Sequence, residues 1–325
     1  MMVNKLLAEL EQYRPALTTE PDYDAFWAQT VAESDAQPLN ATLEEVAYPV
    51  DRVKLWSLRY DGFGLDTRVA GWYITPQEGF ERRIGGKVPT IIIFHGYTGN
   101  KGRPWRFLQW ALQGYRVLTI DTRGQNGDTP DNNKYSSGYA IGHLSKGLLD
   151  PSQYYYRYAY MDCVRVVDFA RTQPETGPII VTGGSQGGGL TLATAALARE
   201  KGIVAAMPDI PFLCDFRRSL ADFTVSPYDE LIQYWRINPQ HIETGLRTLS
   251  YFDGMNFASH ITCPTLISVG LQDPTCPPAS AFAVYNHLAG RKEIKVYPYL
   301  AHEVFDEHYE EQYRFAIEVL LHNVE

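Results

Sequence analysis

The segment Gly183-Gly184-Ser185-Gln186-Gly187 constrains this chain more than any other five residues. It follows the apolar run Pro178-Ile179-Ile180-Val181-Thr182 and leads straight into Gly188-Gly189-Leu190-Thr191-Leu192-Ala193-Thr194-Ala195-Ala196. A G-x-S-x-G segment between a strand and a helix holds its serine on a sharp, strained turn at the end of a parallel strand. The glycines then have a steric purpose, because a Cβ at 183 or 187 would run into the neighbouring strand or helix. The helix that follows points amide hydrogens and the positive end of its dipole at the serine. Ser185 is therefore the candidate nucleophile.

A nucleophilic serine needs a base and an acid that orients the base, and in this setting they follow it in the order Ser, Asp, His. Asp273 lies in Gly270-Leu271-Gln272-Asp273-Pro274-Thr275-Cys276-Pro277-Pro278, just after a strand-like run at 264–269. His302 comes just after the last such run, 293–297, and just before the final helical segment. His95 precedes the serine, while His287 and His308 fall inside predicted helices, where a surface position is expected. Asp209, ending the run 203–208, is the rival acid. The oxyanion needs two donors. One is the backbone amide of Gln186, next to the nucleophile. The other is that of Tyr97, in the loop Phe94-His95-Gly96-Tyr97-Thr98-Gly99 after the first parallel strand. The Tyr97 ring and Pro227 are expected to bound a pocket for short acyl groups, with Tyr228 and Trp235 closing its far side. Arg123, in Arg123-Gly124-Gln125, is expected to fix loops through hydrogen bonds to carbonyls.

The rest of the chain supplies the frame. Apolar runs at 90–94, 116–121, 179–183, 203–208, 264–269 and 293–297 alternate with helical segments near 103–113, 152–173, 185–201, 279–289 and 303–322. That pattern predicts a mostly parallel sheet covered by helices on both faces. Before it come two helices near 3–13 and 22–34, then three strand-like runs, including 53–60 and 68–74, read as antiparallel edge strands; 76–89 reads as a loop. The whole is expected to be one α/β domain, with 1–89 as N-terminal helices and edge strands and 90–325 as the core. The connections 122–151 and 209–263 are too long for plain crossovers, and the second carries extra helices. Both leave carboxyl ends of strands, where α/β ligand sites form.

Composition removes several classes of function. With 45% hydrophobic residues, 14 Phe, 6 Trp and 22 Tyr, the chain is not disordered. A net charge of −9 and no cluster of five or more Lys/Arg argue against nucleic acid or anionic membrane as partner. No apolar stretch approaches the ~20 residues of a membrane helix, and residues 1–14 lack the continuous apolar centre of a signal peptide; a cytoplasmic chain is expected. Cys163, Cys214, Cys263 and Cys276 form no C-x-x-C pair and are expected to be free thiols. The spacing around His302, Glu303 and His308 is not H-E-x-x-H, and no Gly-rich phosphate loop is present. No metal or cofactor is expected.

Taken together, Arg123-Gly124-Gln125, Gly183-Gly184-Ser185-Gln186-Gly187 and His302-Glu303 resemble the R-G-Q, G-x-S-Q-G and H-E marks of carbohydrate esterase family 7, the acetyl xylan esterase and cephalosporin-C deacetylase group. Phe94-His95-Gly96-Tyr97, Arg247-Thr248-Leu249-Ser250-Tyr251-Phe252-Asp253, Gly270-Leu271-Gln272-Asp273, Cys276-Pro277-Pro278 and Tyr297-Pro298-Tyr299 extend the resemblance over nearly the whole chain. It implies an α/β-hydrolase fold and removal of acetyl groups from small O-acetylated carbohydrates such as xylo-oligosaccharides, with tolerance for cephalosporin C. It also implies a homohexamer, and a structural role for Arg123, Gly124, Gln125 and Glu303. Thr275 departs from the aliphatic residue expected beside the acid and is counted among the substrate-binding candidates. Two other readings stay open. A serine peptidase of the prolyl-oligopeptidase type needs a propeller of at least four blades, for which 1–89 is too short. A non-catalytic hydrolase-fold binding protein has no need of the full set Ser185, Asp273 and His302.

Overall fold

The computed structural model describes residues 2–64, 67–135, 141–222 and 225–322. Nine strands form one sheet: β1 Thr42–Val46, β2 Val53–Asp61, β3 Arg68–Pro76, β4 Val88–Phe94, β5 Arg116–Ile120, β6 Thr176–Gly184, β7 Ile203–Asp209, β8 Thr265–Gly270 and β9 Lys292–Tyr297. Their order is β1-β2-β3-β5-β4-β6-β7-β8-β9. β1 to β3 pair antiparallel, as does β3 with β5. All pairs from β5 onward to β9 are parallel.

Strand alternation sorts the core into two layers. Ile92, Leu118 and Val181 join a cluster under the helices Tyr155–Thr172, Gln186–Leu197 and Pro278–His287. Their neighbours Ile91, Val117 and Ile180 join the opposite cluster with Phe315, Ala316, Val319 and Leu320 of the helix Asp306–His322. Helices therefore cover both faces, and the inner strands are apolar on both sides; β8 is buried along its whole length. This is the helix-covered, mostly parallel sheet expected from the alternation of apolar runs and helices, and the α/β-hydrolase arrangement that the family resemblance implies.

The strand order also places the site. From β4 the chain steps out to β5, then crosses back over β4 to β6. The carboxyl ends of β4 and β6 thus flank a topological switch point, where loops diverge and leave a crevice. The loop after β4 carries Tyr97, and the turn after β6 carries Ser185. The 209–263 connection folds into the helices Phe216–Asp222, Asp229–Ile237, Ile242–Ser250 and Gly254–Phe257. In the 122–151 connection, 136–140 lie outside the described residues. The helices Met2–Glu11 and Tyr23–Ala36 pack on this side as well: Trp27 Nε1–H donates to the Tyr251 carbonyl at 2.9 Å, and His287 Nε2 contacts the Pro15 carbonyl at 2.8 Å. Among the described residues no helix is long and apolar enough to cross a membrane.

Candidate active site

Ser185 stands at the end of β6 with φ 58° and ψ −118°, a region that costs a non-glycine residue about 1–3 kcal/mol. Three backbone hydrogen bonds hold it there. Ser185 N–H donates to the Asp209 carbonyl at 3.0 Å, and its own carbonyl accepts from Gly189 at 3.1 Å and Phe212 at 2.9 Å. A Cβ on Gly183 would come within 2.5 Å of the Phe94 carbonyl oxygen, and one on Gly187 within 2.1 Å of the same atom. Only glycine lets the end of β4 and the helix Gln186–Leu197 close on the serine from both sides.

The three residues singled out from sequence meet. His302 Nε2 is 2.9 Å from Ser185 Oγ, and His302 Nδ1 is 2.7 Å from Asp273 Oδ2. Asp273 is 3% exposed, and its other oxygen, Oδ1, accepts the backbone N–H of Thr275 and of Cys276 at 2.8 Å each. The acid is thus fixed by its own loop, with one oxygen left to accept from the imidazole. A proton on Nδ1 facing the carboxylate leaves Nε2 as a lone-pair acceptor toward the serine hydroxyl. Chemically, the set can take a proton from Ser185 as it attacks a carbonyl carbon.

Of the two proposed oxyanion donors, Gln186 follows Ser185 directly, and the Tyr97 loop passes close by, an added Cβ on Gly96 falling 3.9 Å from Ser185 Cβ. Among the described residues neither the Tyr97 nor the Gln186 amide has a hydrogen-bond acceptor. The Tyr97 loop is pinned from below. His95 Nε2 accepts Thr122 N–H at 2.9 Å, so Nδ1 carries the proton and donates to the Gly96 carbonyl at 2.7 Å. Burial pushes the His95 pKa down, which keeps the ring neutral in that role. The Gln186 side chain is fixed by a reciprocal pair with Gln125: Gln125 Nε2 donates to Gln186 Oε1 at 2.8 Å, and Gln186 Nε2 donates back at 3.2 Å. Tyr156 OH adds a donor to Gln186 Oε1 at 3.0 Å.

Arg123 is fully buried and forms a two-point pair with Asp162, at 2.7 and 2.6 Å, while donating to the Phe63 carbonyl at 2.8 Å. Gly124 follows it with φ 66°. This run therefore ties the loop after β5 to the helix Tyr155–Thr172 and presents Gln125 to the nucleophile turn. Glu303 is different: it is exposed, and among the described residues it has no hydrogen bond or ion pair.

One histidine expectation needs correction, and the rival acid is engaged elsewhere. His308 is fully buried, not at the surface; its Nε2 lies 2.7 Å from Asp209 Oδ1 and its Nδ1 2.9 Å from Tyr297 OH. The helical stripe of Asp306–His322 turns it inward. Asp209 does not approach His302. It accepts Ser268 Oγ–H at 2.8 Å and Gln312 Nε2–H at 2.7 Å, beneath the nucleophile turn. The pocket walls also differ in part. Tyr97 is tucked between His143 and Phe212, with ring centroids 5.6 and 5.9 Å apart. Pro227 is buried just ahead of the helix Asp229–Ile237. Tyr228 is fully buried against Phe212 at 4.6 Å, so it only backs the wall from behind. Trp235 rests on Gly245 of the next helix. Both rings pack into the same core cluster as the inner strands, Tyr228 as a member and Trp235 at its edge. Thr275 reaches the site through its backbone amide on Asp273.

One anchor escaped the sequence reading. Glu230, 7% exposed, accepts Tyr97 OH at 2.7 and 2.8 Å and the backbone N–H of His143 and Leu144 at 3.0 and 3.1 Å. It clamps three loops together: the one after β4, the one after β5, and the insertion. Burial and that carboxylate push the Tyr97 phenol pKa well up, so Tyr97 stays a donor. His143, pressed on Tyr155 at 4.8 Å, has its pKa pushed down to about 4 by burial and the nearby Lys146 charge. A lone glutamate in a helical segment carries no local signal for such a clamp.

A strained serine at a parallel-strand end, a histidine and an acid following it in chain order, and this strand order define the α/β-hydrolase class. Within that class, the chain belongs to the acetyl xylan esterase (AXE1) family, whose model matches residues 1–319. It is similar to an acetyl xylan esterase from Paenibacillus sp. R4, at 44% identity and a TM-score of 0.90, with 95% of this chain and 98% of that one covered. It is similar also to acetyl xylan esterase 1 from Thermoanaerobacterium sp. JW/SL YS485, at 30% identity and a TM-score of 0.89, covering 96% and 98%. The acetyl esterase Axe7A of Xylanibacter ruminicola is 29% identical over 303 residues, which are 90% of this chain; the chain spans 65% of that protein's length.

Proposed function

We propose that this chain is a serine esterase that removes acetyl and similarly short acyl groups from small O-acetylated carbohydrates through an acyl-enzyme. The observation that carries the reading is the unbroken line from Ser185 Oγ through His302 to Asp273, at 2.9 and 2.7 Å. Ser185 Oγ attacks the ester carbonyl carbon as its proton passes to His302 Nε2. The carbonyl oxygen, now negative, accepts from the Tyr97 and Gln186 amides. Asp273 keeps the imidazolium oriented and offsets its charge. His302 then gives the proton to the departing sugar oxygen. Water, deprotonated by the same nitrogen, releases acetate and restores the serine. No metal is required at any step.

Support for the acetyl group comes from the names of the relatives and from the packing of Tyr97 on Phe212, whose amide donates to the Ser185 carbonyl at 2.9 Å. The sugar is inferred from the family. The family resemblance further points to a homohexamer; Tyr299, Ile237 and Trp105 are 84%, 78% and 66% exposed, apolar surface that subunit contacts would cover. The test is a turnover panel of acetylated xylo-oligosaccharides, acetyl-glucose, cephalosporin C and a peptide amide. Release of acetate from the sugars, with the amide left intact, is expected. Cleavage of the amide with no acetate released would replace the esterase reading with a peptidase.

A further inference from the structure

Cys276 takes no part in the proposed chemistry, yet it is 3% exposed and its backbone N–H donates to Asp273 Oδ1 at 2.8 Å. One ligand atom from each of Asp273, Cys276 and His302 lies within 4.8 Å of the others, the one such cluster among the described residues. We propose that these three side chains form a binding site for a soft divalent cation such as Zn²⁺, and that filling it reversibly stops turnover.

The argument is geometric and chemical. Zinc binds thiolate sulfur at about 2.3 Å and imidazole nitrogen or carboxylate oxygen at about 2.0–2.2 Å in tetrahedral geometry, so ligand atoms around one ion stand about 3.4–3.6 Å apart. The observed spread of 4.8 Å closes to that when the Cys276 and His302 side chains rotate together by about an ångström. Thiolate, imidazole and carboxylate together suit zinc or cadmium and are poor for magnesium or calcium, which take all-oxygen sets. The ion enters past His302, whose side chain is 24% exposed, and Ser185 Oγ or a water completes the fourth position. Binding turns the Cys276 thiol into thiolate and sends its proton to solvent. It also takes a His302 lone pair, and with it the base that Ser185 needs. The empty site is already satisfied, since Asp273 receives two backbone amides and the imidazole. The cation therefore competes with the hydrogen-bonded state and is an inhibitor, with no part in the reaction.

The effect on turnover rests on the esterase reading; the binding does not. Enzyme freed of metal with EDTA is titrated with zinc chloride while p-nitrophenyl acetate hydrolysis is followed. Each variant is normalised to its own zinc-free rate. Inhibition by zinc, its reversal by EDTA and indifference to the same concentration of magnesium are expected. Cys276→Ala should raise the half-inhibiting zinc concentration at least about tenfold, the least that even an outer-shell partner contributes. Independently, cadmium added to Ser185→Ala protein should give one thiolate-to-cadmium charge-transfer band per chain, absent from the Ser185→Ala/Cys276→Ala double variant. Cys276→Ser serves if the alanine does not fold. Equal half-inhibition with and without the thiol, or no cadmium band, would overturn the site. Absence of esterase activity with the band intact would instead remove the esterase reading and leave the site standing.

Discussion

Two buried aspartates flank the nucleophile turn, and replacing each by asparagine separates their parts. In Asp273→Asn, the amide oxygen will keep the two backbone donors of Thr275 and Cys276 that Oδ1 now holds. The amide NH₂ then faces His302 Nδ1, so that nitrogen must accept and the ring proton moves to Nε2. A ring with Nε2–H cannot take the Ser185 proton. A wrong tautomer of this kind lowers kcat by about 10⁴-fold, equivalent to about 5.4 kcal/mol, and leaves the melting temperature almost unmoved. Asp209→Asn should do the reverse. Its carboxylate holds Ser268, Gln312 and the neighbouring His308 in a buried set, and the amide can satisfy only part of it. The loss is about 1–3 kcal/mol of stability, or roughly 2–6 °C at about 2 °C per kcal/mol. The Ser185 amide bonds to the backbone carbonyl of Asp209, which the substitution keeps. The kcat of the folded protein should therefore stay within about tenfold of wild type. Steady-state hydrolysis of p-nitrophenyl acetate and calorimetric melting read the two effects separately. A slower enzyme from Asp209→Asn than from Asp273→Asn would refute this reasoning and move the acid to Asp209.

Three further substitutions or substrate series probe the frame. Glu230→Ala leaves Tyr97 OH and the Leu144 amide without their acceptor, so kcat/KM should fall about 10–100-fold, with Glu230→Gln recovering part of it; unchanged kcat/KM in the alanine variant would remove the clamp from function. Gly187→Ala places a methyl 2.1 Å from the Phe94 carbonyl oxygen, and should lower stability in denaturant titration by about 3 kcal/mol or more; a wild-type midpoint would mean the turn is looser than described. Across p-nitrophenyl esters kcat/KM should fall steeply beyond about four acyl carbons, as a small ring-lined pocket requires. A rise of about 0.8 kcal/mol per added methylene would reveal an open apolar groove instead.

What the sequence revealed, and what it hid, follows from the range of the interactions. Ser185, the glycines at 183 and 187 and the strands around them were legible because each is determined by neighbours a few residues away. Asp273 and His302 were legible through chain order and their places after β8 and β9. The inward turn of His308 was not, since a helix ending at 322 can present either face until the sheet beneath it is known. Asp209 had the right position for an acid, and only the tertiary partners Gln312 and Ser268 show where its carboxylate is engaged. Glu230 depends on three loops meeting, and no local pattern announces that. Tyr228 and Trp235 are expected at the pocket because they lie in the insertion, but the core cluster shared with the sheet takes up their rings, and no local pattern shows that.

The central claim, that Ser185 is the residue through which the acyl group passes, has a direct measurement. The enzyme is titrated with an organophosphate that carries a p-nitrophenyl leaving group, and residual esterase activity is compared with intact mass and peptide mapping. The account predicts one phosphoryl group per chain, located on Ser185, with activity falling in proportion to labelling. Full labelling of Ser185 with activity retained, or loss of activity with the label on another residue, would contradict it.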